Sequence, residues 1–240
     1  MGRVLAFLYG AIAYIIFFVT FLYAIGFVGN VFVPKSIDSG REGAFWPSLI
    51  IDAILLGLFA MQHSVMARPG FKKAWTKLVP TVVERSTYVL LASLSLALVF
   101  WQWRPLLEVI WNVRNATISL ILQVVFFGGW AIVLLSTFFI NHFDLFGLRQ
   151  VYLQQKYTYL GFRKPGFYKL VRHPIMLGFI IAFWATPKMT LGHLVFAIAT
   201  TAYILIAIQL EERDMVSIHG ETYEEYRRQV SMLLPLPPKK

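Results

Sequence analysis

Residues 175–209 read IMLGFIIAFWATPKMTLGHLVFAIATTAYILIAIQ, with Arg172-His173-Pro174 on one side and Leu210-Glu211-Glu212-Arg213 on the other. Within the stretch the only charge is Lys188, next to Pro187. Proline cannot continue a helix interior, so the stretch is expected to break there into Ile175 to Ala185 and Thr190 to Gln209. At about 1.5 Å per residue the first piece reaches only about 17 Å, too short to cross a hydrocarbon core of about 30 Å by itself. The two pieces are expected to fold back as a hairpin, which carries His173 and Glu211 to the same membrane face. Ionisable groups are costly beside apolar helices and are rarely kept there without a task. The pattern therefore points to a reaction site at a membrane interface.

The rest of the chain agrees with a lipid setting. Of its 240 residues, 58% are hydrophobic and 14% charged, and its mean hydropathy is +0.65. Soluble domains average about 45–50% apolar and about 25% charged, so the excess must face lipid. Four further segments are long enough to span at about 20 residues each: Val4 to Val28, Leu49 to Met66, Ser86 to Trp103 and Ala116 to Ile140. The first is too long for the apolar region of a signal peptide and is expected to be retained. The fold class is all-α: a polytopic integral membrane protein with four long transmembrane helices and a C-terminal hairpin, five to six membrane segments in all. A single domain over residues 1–240 is expected, with residues 1–140 forming the substrate side and 141–240 the cofactor-binding region. The tail Pro235 to Lys240 is expected to fray.

Net charge is +10, and its distribution orients the chain. Residues 68–85 hold Arg68, Lys72, Lys73, Lys77 and Arg85 against Glu84 alone, and residues 141–173 hold six lysines and arginines against Asp144 alone. Positive loops lie on the cytoplasmic side, so both termini are expected there, with the charge-balanced loops outside. This accounts for the basic composition without a nucleic-acid partner. With no cysteine, disulfides, thiolate metal sites and a catalytic cysteine are excluded. The five histidines are scattered and form no metal motif. No obligate protein partner is evident; the lipid bilayer is the partner the composition requires.

Three clusters carry candidate chemistry. Asn141-His142-Phe143-Asp144 begins where the fourth apolar run stops. A histidine beside an aspartate suits a general base, because the carboxylate raises its basicity and fixes its ring; the alternative is a juxtamembrane cap with a snorkelling arginine. His63 lies within two turns of the end of the second span, either as a second candidate base or as a bond to a neighbouring helix. Asp52, early in that span, reads as structural. In Gly166-Phe167-Tyr168-Lys169-Leu170-Val171-Arg172-His173-Pro174 the proline suits the first turn of a helix, so the helix begins with its positive end beside Arg172 and His173. Glu211 and Glu212 lie at the other base of the hairpin, where an acid suits a sugar hydroxyl, a cationic centre or Arg172.

On these residues the chain resembles the isoprenylcysteine carboxyl methyltransferase-like superfamily of integral membrane methyltransferases. The resemblance runs from about Tyr159 to Pro235 through Gly166-Phe167-Tyr168, Arg172-His173-Pro174, Glu211-Glu212, His219-Gly220-Glu221-Thr222-Tyr223-Glu224-Glu225-Tyr226 and Leu234-Pro235. It implies S-adenosylmethionine as the methyl donor, bound by Tyr168, Arg172, His173, Pro174, Ile175 and Met176 and by one of Glu211 or Glu212. There are two departures: the first removes an aromatic or hydroxyl contact, and the second disfavours a prenylated carboxylate substrate. The superfamily's tyrosine two residues after the proline is Met176 here, and no cation stands in Leu205-Ile206-Ala207-Ile208-Gln209-Leu210, where prenylcysteine methyltransferases carry an arginine for the substrate carboxylate. The front half, with Gln62-His63-Ser64, Arg68-Pro69 and Asn141-His142-Phe143-Asp144, resembles the bacterial branch that methylates methanethiol to dimethyl sulfide. That implies a small apolar thiol substrate, the bacterial inner membrane and a site toward the cytoplasm, with His142, Asp144 and His63 as the candidate catalytic groups. Two other readings stand beside it: a related methyltransferase acting on another small thiol, a lipid or an amine, and a non-enzymatic haem- or quinone-associated membrane subunit. Against the last, no two histidines form a helical pair on a shared face.

Overall fold

Lipid offers no hydrogen bonds to a bare backbone, so an apolar segment inside a bilayer must satisfy its peptide groups internally, as a helix does. In the computed structural model, which describes residues 2–158 and 160–235, the apolar runs become helices α1 (Arg3–Gly29), α2 (Phe45–Ala67), α4 (Glu84–Gln102), α5 (Ala116–Ile140), α8 (Pro174–Trp184) and α9 (Leu191–His219). Short helices α3 (Pro69–Trp75), α6 (His142–Leu145), α7 (Leu148–Leu153) and α10 (Glu221–Gln229) lie in the polar connections. Among the described residues, α1, α2, α4, α5 and α9 are long and apolar enough to cross a membrane, whereas α8 has 11 residues. The protein is an all-α, polytopic membrane protein. On α1, Val4, Leu8, Ile12, Ile15 and Val19 are each at least half exposed, an apolar surface suited to lipid. Residues 236–240 of the tail expected to fray lie outside the described residues.

The chain divides into two compact units that interleave along the sequence. One comprises residues 1–111, 143–158 and 188–196, and the other residues 112–142, 159–187 and 197–240. In the first, α4 packs against α1 and α2. Its aromatic centre is Phe27, which meets Phe100 at 4.6 Å and stands edge-on to Trp103 and Phe196 at 6.1 and 6.4 Å. The segment after α4 is tied down by its backbone. Arg104 N–H donates to Asp52 Oδ1 at 2.9 Å and Leu107 N–H to Glu42 at 3.1 Å. The start of α9 donates back to it, from Leu191 to Glu108 O at 2.8 Å and from Gly192 to Leu106 O at 2.9 Å. Asp52 is fully buried and has this structural part, as expected.

In the second unit α8 lies against α5. A Cβ on Gly178 would stand 2.6 Å from Gly129 O, and one on Gly129 would stand 2.7 Å from Gly178 O, so the two backbones touch where both residues lack side chains, a contact typical of membrane helices. Trp130 of α5 packs edge-on against Phe179 and Phe183 of α8, at 5.6 and 6.1 Å.

Two features depart from the sequence reading. The α9 helix runs ten residues beyond Gln209, to His219, so the terminal hairpin pairs one short helix with one long one. At about 1.5 Å per residue, α9 is about 44 Å long; about 20 residues cross the core, which leaves Glu211 and Glu212 in the first turn past it. The second departure is a small ladder of strands β1 (Val109–Asn112) and β2 (Lys188–Thr190). It joins the tip of the hairpin to the connection between α4 and α5, so the tip reaches the side where that connection lies.

The close crossing sets a test. Gly178→Val should destabilise the protein by about 1–3 kcal/mol through overpacking, seen as a lowered Tm in detergent. Gly57→Ala, where a Cβ meets nothing within 4 Å, should not lower it. An unchanged Tm for Gly178→Val would contradict the α5–α8 contact.

Candidate active site

The site at the base of α8 is built from one glycine-dependent turn and one buried carboxylate. Residues 166–169 form a 3₁₀ turn with Gly166 at φ +52°, and a Cβ there would run into the Phe139 ring at 2.6 Å. Glycine satisfies both the left-handed backbone and the close approach. The turn buries Tyr168 and leads through Val171 and Arg172 to His173, the residue before α8, with Pro174 in the first helical position. Pro174 is buried, and Ile175 and Met176 are half-buried.

Across from them, on α9, stands Glu212. Its side chain is 5% exposed, against 47% for Glu211. Arg172 Nε donates to Glu212 Oε1 at 2.7 Å, His173 Nε2 to the same oxygen at 3.0 Å, and Arg227 Nε to Oε2 at 3.1 Å. A carboxylate only accepts, so His173 carries its proton on Nε2, and Nδ1 faces Glu211 Oε2 at 3.8 Å. The acidic pair thus divides. Glu212 is held inside the protein, while Glu211 presents an exposed carboxylate beside an imidazole nitrogen. Close by, burial and then the charge of Glu211 push the Tyr168 phenol above its ordinary range, so it stays a protonated donor. The Tyr168 carbonyl accepts from Tyr226 Oη at 2.6 Å. Tyr168, Arg172, His173, Glu211 and Glu212, expected together from the sequence, are together in space.

The other candidates sit differently. His142 is buried, and its Nδ1 lies 2.8 Å from Thr137 Oγ1. The Thr137 hydroxyl donates its one proton to Leu134 O at 2.6 Å, so it accepts from His142 Nδ1–H, which makes Nε2 the basic nitrogen. Phe138 stacks on the ring at 4.2 Å. Burial lowers the His142 pKa below the ordinary imidazole value, which keeps it neutral near pH 7. Asp144 belongs to the other unit, where it lies 3.4 Å from both Arg85 Nη1 and Arg149 Nη1; Arg85 also donates to its carbonyl at 2.8 Å. The His-x-Asp spacing suggested a carboxylate orienting the histidine; the Thr137 hydroxyl meets its Nδ1, and Asp144 faces Arg85 and Arg149. His63, on α2, faces the Tyr88 hydroxyl, 3.1 Å from Nδ1, and stacks on Phe59.

Comparison of the sequence with known proteins shows the family of the chain. The chain is 56% identical over 243 residues to a methanethiol S-methyltransferase of Crocosphaera subtropica, which covers 100% of this chain and 95% of that protein. It is 56% identical over 240 residues to a methanethiol S-methyltransferase of Mycobacterium tuberculosis, covering 99% and 98%. The chain belongs to the methanethiol S-methyltransferase family. A more distant likeness, 31% over 190 residues, links it to Nurim of Mus musculus, over 73% of this chain. No family model and no solved structure matches it. As a member of this methyltransferase family it is an enzyme, and the superfamily read from its terminal third is borne out.

Three parts of the site escaped the sequence reading: Arg227 and Val230, far along the chain, and Thr137 inside an apolar helix. Arg227 was within reach, because α10 places Tyr223 and Tyr226 inward and Arg227 one position on, yet nothing local marks its partner. In this methyltransferase, Glu212→Gln should be severe. It leaves Arg172, Arg227 and His173 around a lost charge, and breaking a buried ion pair costs about 3–5 kcal/mol. Glu211→Gln should stay within about 0.5 kcal/mol of wild type, as expected at an exposed position. Thermal unfolding in detergent reads both; equal losses would contradict the division between the two acids.

Proposed function

We propose that this protein transfers a methyl group from S-adenosylmethionine to methanethiol, giving dimethyl sulfide, at the cytoplasmic side of a bacterial inner membrane. The observation that carries the proposal is the full-length 56% identity to proteins named for methanethiol methylation. The site supplies the physical support. S-Adenosylmethionine is a cation rich in donors (ribose hydroxyls and an ammonium), and the exposed Glu211 carboxylate beside His173 Nδ1 offers acceptors for such groups. The carboxylates of Glu211 and Glu212 offset the guanidinium groups of Arg172 and Arg227 around this place. Tyr168, Pro174, Ile175 and Met176 border the same place.

When bound, the donor supplies a sulfonium-activated methyl group for in-line displacement by a thiolate, leaving S-adenosylhomocysteine. The chain's own residues must then remove the thiol proton. A thiol like that of cysteine ionises only near pH ~8.5, so a base helps at neutral pH. His142 is our candidate: burial holds its pKa below the ordinary imidazole value, and Thr137 fixes its ring through Nδ1. Asp144 then acts on the fold through Arg85 and Arg149, and His63 is the alternative base. A small apolar thiol partitions into lipid, whereas the charged donor is cytosolic, and a site at the cytoplasmic border meets both. The basic connections 68–83 and 141–173 support that orientation and cytoplasmic termini.

Dimethyl sulfide released from methanethiol should be detected in the headspace above purified protein supplied with S-adenosylmethionine; saturable donor binding without dimethyl sulfide would redirect the substrate to another thiol, lipid or amine. Glu211→Gln should weaken S-adenosylhomocysteine binding by calorimetry. His142→Ala should lower turnover by about 10²–10⁴-fold, as expected for loss of a general base. Wild-type turnover should fall only in acid below the ordinary imidazole range, because the His142 pKa is lowered, while the residual His142→Ala turnover should rise toward high pH. Full turnover with the wild-type pH profile in His142→Ala would refute the base assignment.

A further inference from the structure

Arg172 has the sequence position of a donor ligand, but its bonds run elsewhere. Its side chain is 10% exposed, and three donations are directed to three different segments. Nε donates to Glu212 on α9; Nη1 donates to Arg227 O on α10 at 3.1 Å and to Val230 O just after it. The backbone repeats the pattern. Arg172 N–H donates to Ser231 O at 2.9 Å and His173 N–H to Met232 O at 3.2 Å, with Val171 and Ser231 in a parallel bridge. Tyr226 adds its hydroxyl to Tyr168 O, and Gln209 of α9 reaches Met232 Sδ at 3.8 Å. Residues 226–232 therefore form a strap fastened along 168–173, in which Arg227 is both the second cation on Glu212 and a carbonyl partner of Arg172.

We infer that Arg172 is a positioning residue and that the strap 226–232 is a working part of the site. The guanidinium fixes the strap and Glu212 at once, and Glu212 fixes His173 through Nε2, so the direction in which Nδ1 faces beside Glu211 is set by a segment near the end of the chain. A lysine keeps the charge but offers a single ammonium that cannot reach a carboxylate and two carbonyls in a planar fork. Misplacement of a binding group by about 1 Å can cost about 10²-fold in rate. The inference about the strap stands on its own, while its kinetic readout rests on the donor proposed above.

The experiment compares wild type with Arg172→Lys and Tyr226→Phe in detergent, using S-adenosylmethionine and its decarboxylated analogue as donors and hydrogen–deuterium exchange over residues 226–232. In Arg172→Lys, kcat should fall at least tenfold, the strap should exchange faster, and the ratio of KM values for the two donors should stay as in wild type. Tyr226→Phe should change all three in the same sense but less, which keeps the test informative if Arg172→Lys folds poorly. A KM ratio that collapses toward 1 in Arg172→Lys would overturn the inference, because Arg172 would then be meeting the donor carboxylate. A strap as protected as in wild type in both variants would overturn it as well. If wild type uses neither donor, the proposed function fails, and the exchange measurement still decides the strap.

Discussion

One carboxylate taken out of water organises the functional end of this protein. Glu212 accepts from Arg172, His173 and Arg227, groups that come from two places more than fifty residues apart in the sequence. A buried ion pair adds little net stability over an apolar substitute, because desolvation offsets the attraction, but it penalises every arrangement that leaves one member alone. Its effect here is on register. The turn of α9 that carries Glu212, the residue that precedes α8 and the helix α10 must all arrive together, or charges remain buried and unpaired.

The membrane imposes the second constraint and makes the first possible. A helix of 29 residues exceeds the hydrocarbon thickness, so α9 crosses and then continues into the interface with its acidic pair just past the apolar run. The short α8 returns from the other side of the hairpin and places its polar N-terminal residues against that emerging turn. Glycine at 129 and 178 lets α5 and α8 touch backbone to backbone, which holds α8 where packing by larger side chains would displace it. Lipid-facing apolar side chains and a polar cluster just past the apolar run are then parts of one design.

Much of the fold was legible in the sequence because lipid leaves few alternatives. Apolar runs of sufficient length must be helices, and the expected span Ala116 to Ile140 coincides with α5. The length of α9 was less legible: polar residues after Gln209 read as an exit from the membrane, although a helix continues wherever packing and i,i+4 contacts support it, in or out of lipid. The ladder of 109–112 with 188–190 was invisible because strands this short carry no periodicity. At the site, the residue types were readable and their division of labour was not. Two adjacent glutamates look equivalent in a string, yet successive helix positions point about 100° apart, so one is buried among cations and the other faces outward. Nor does any local pattern mark Thr137 as the partner of His142, since a threonine in an apolar helix ordinarily bonds its own backbone.

The most direct test of this account is an experimental structure of the protein with S-adenosylhomocysteine bound. It should place the ligand's hydroxyl or ammonium groups on Glu211 and His173 Nδ1, with Glu212 still bonded to Arg172, His173 and Arg227. A ligand bonded to Glu212 in place of those three groups, or bound away from the base of α8, would contradict it.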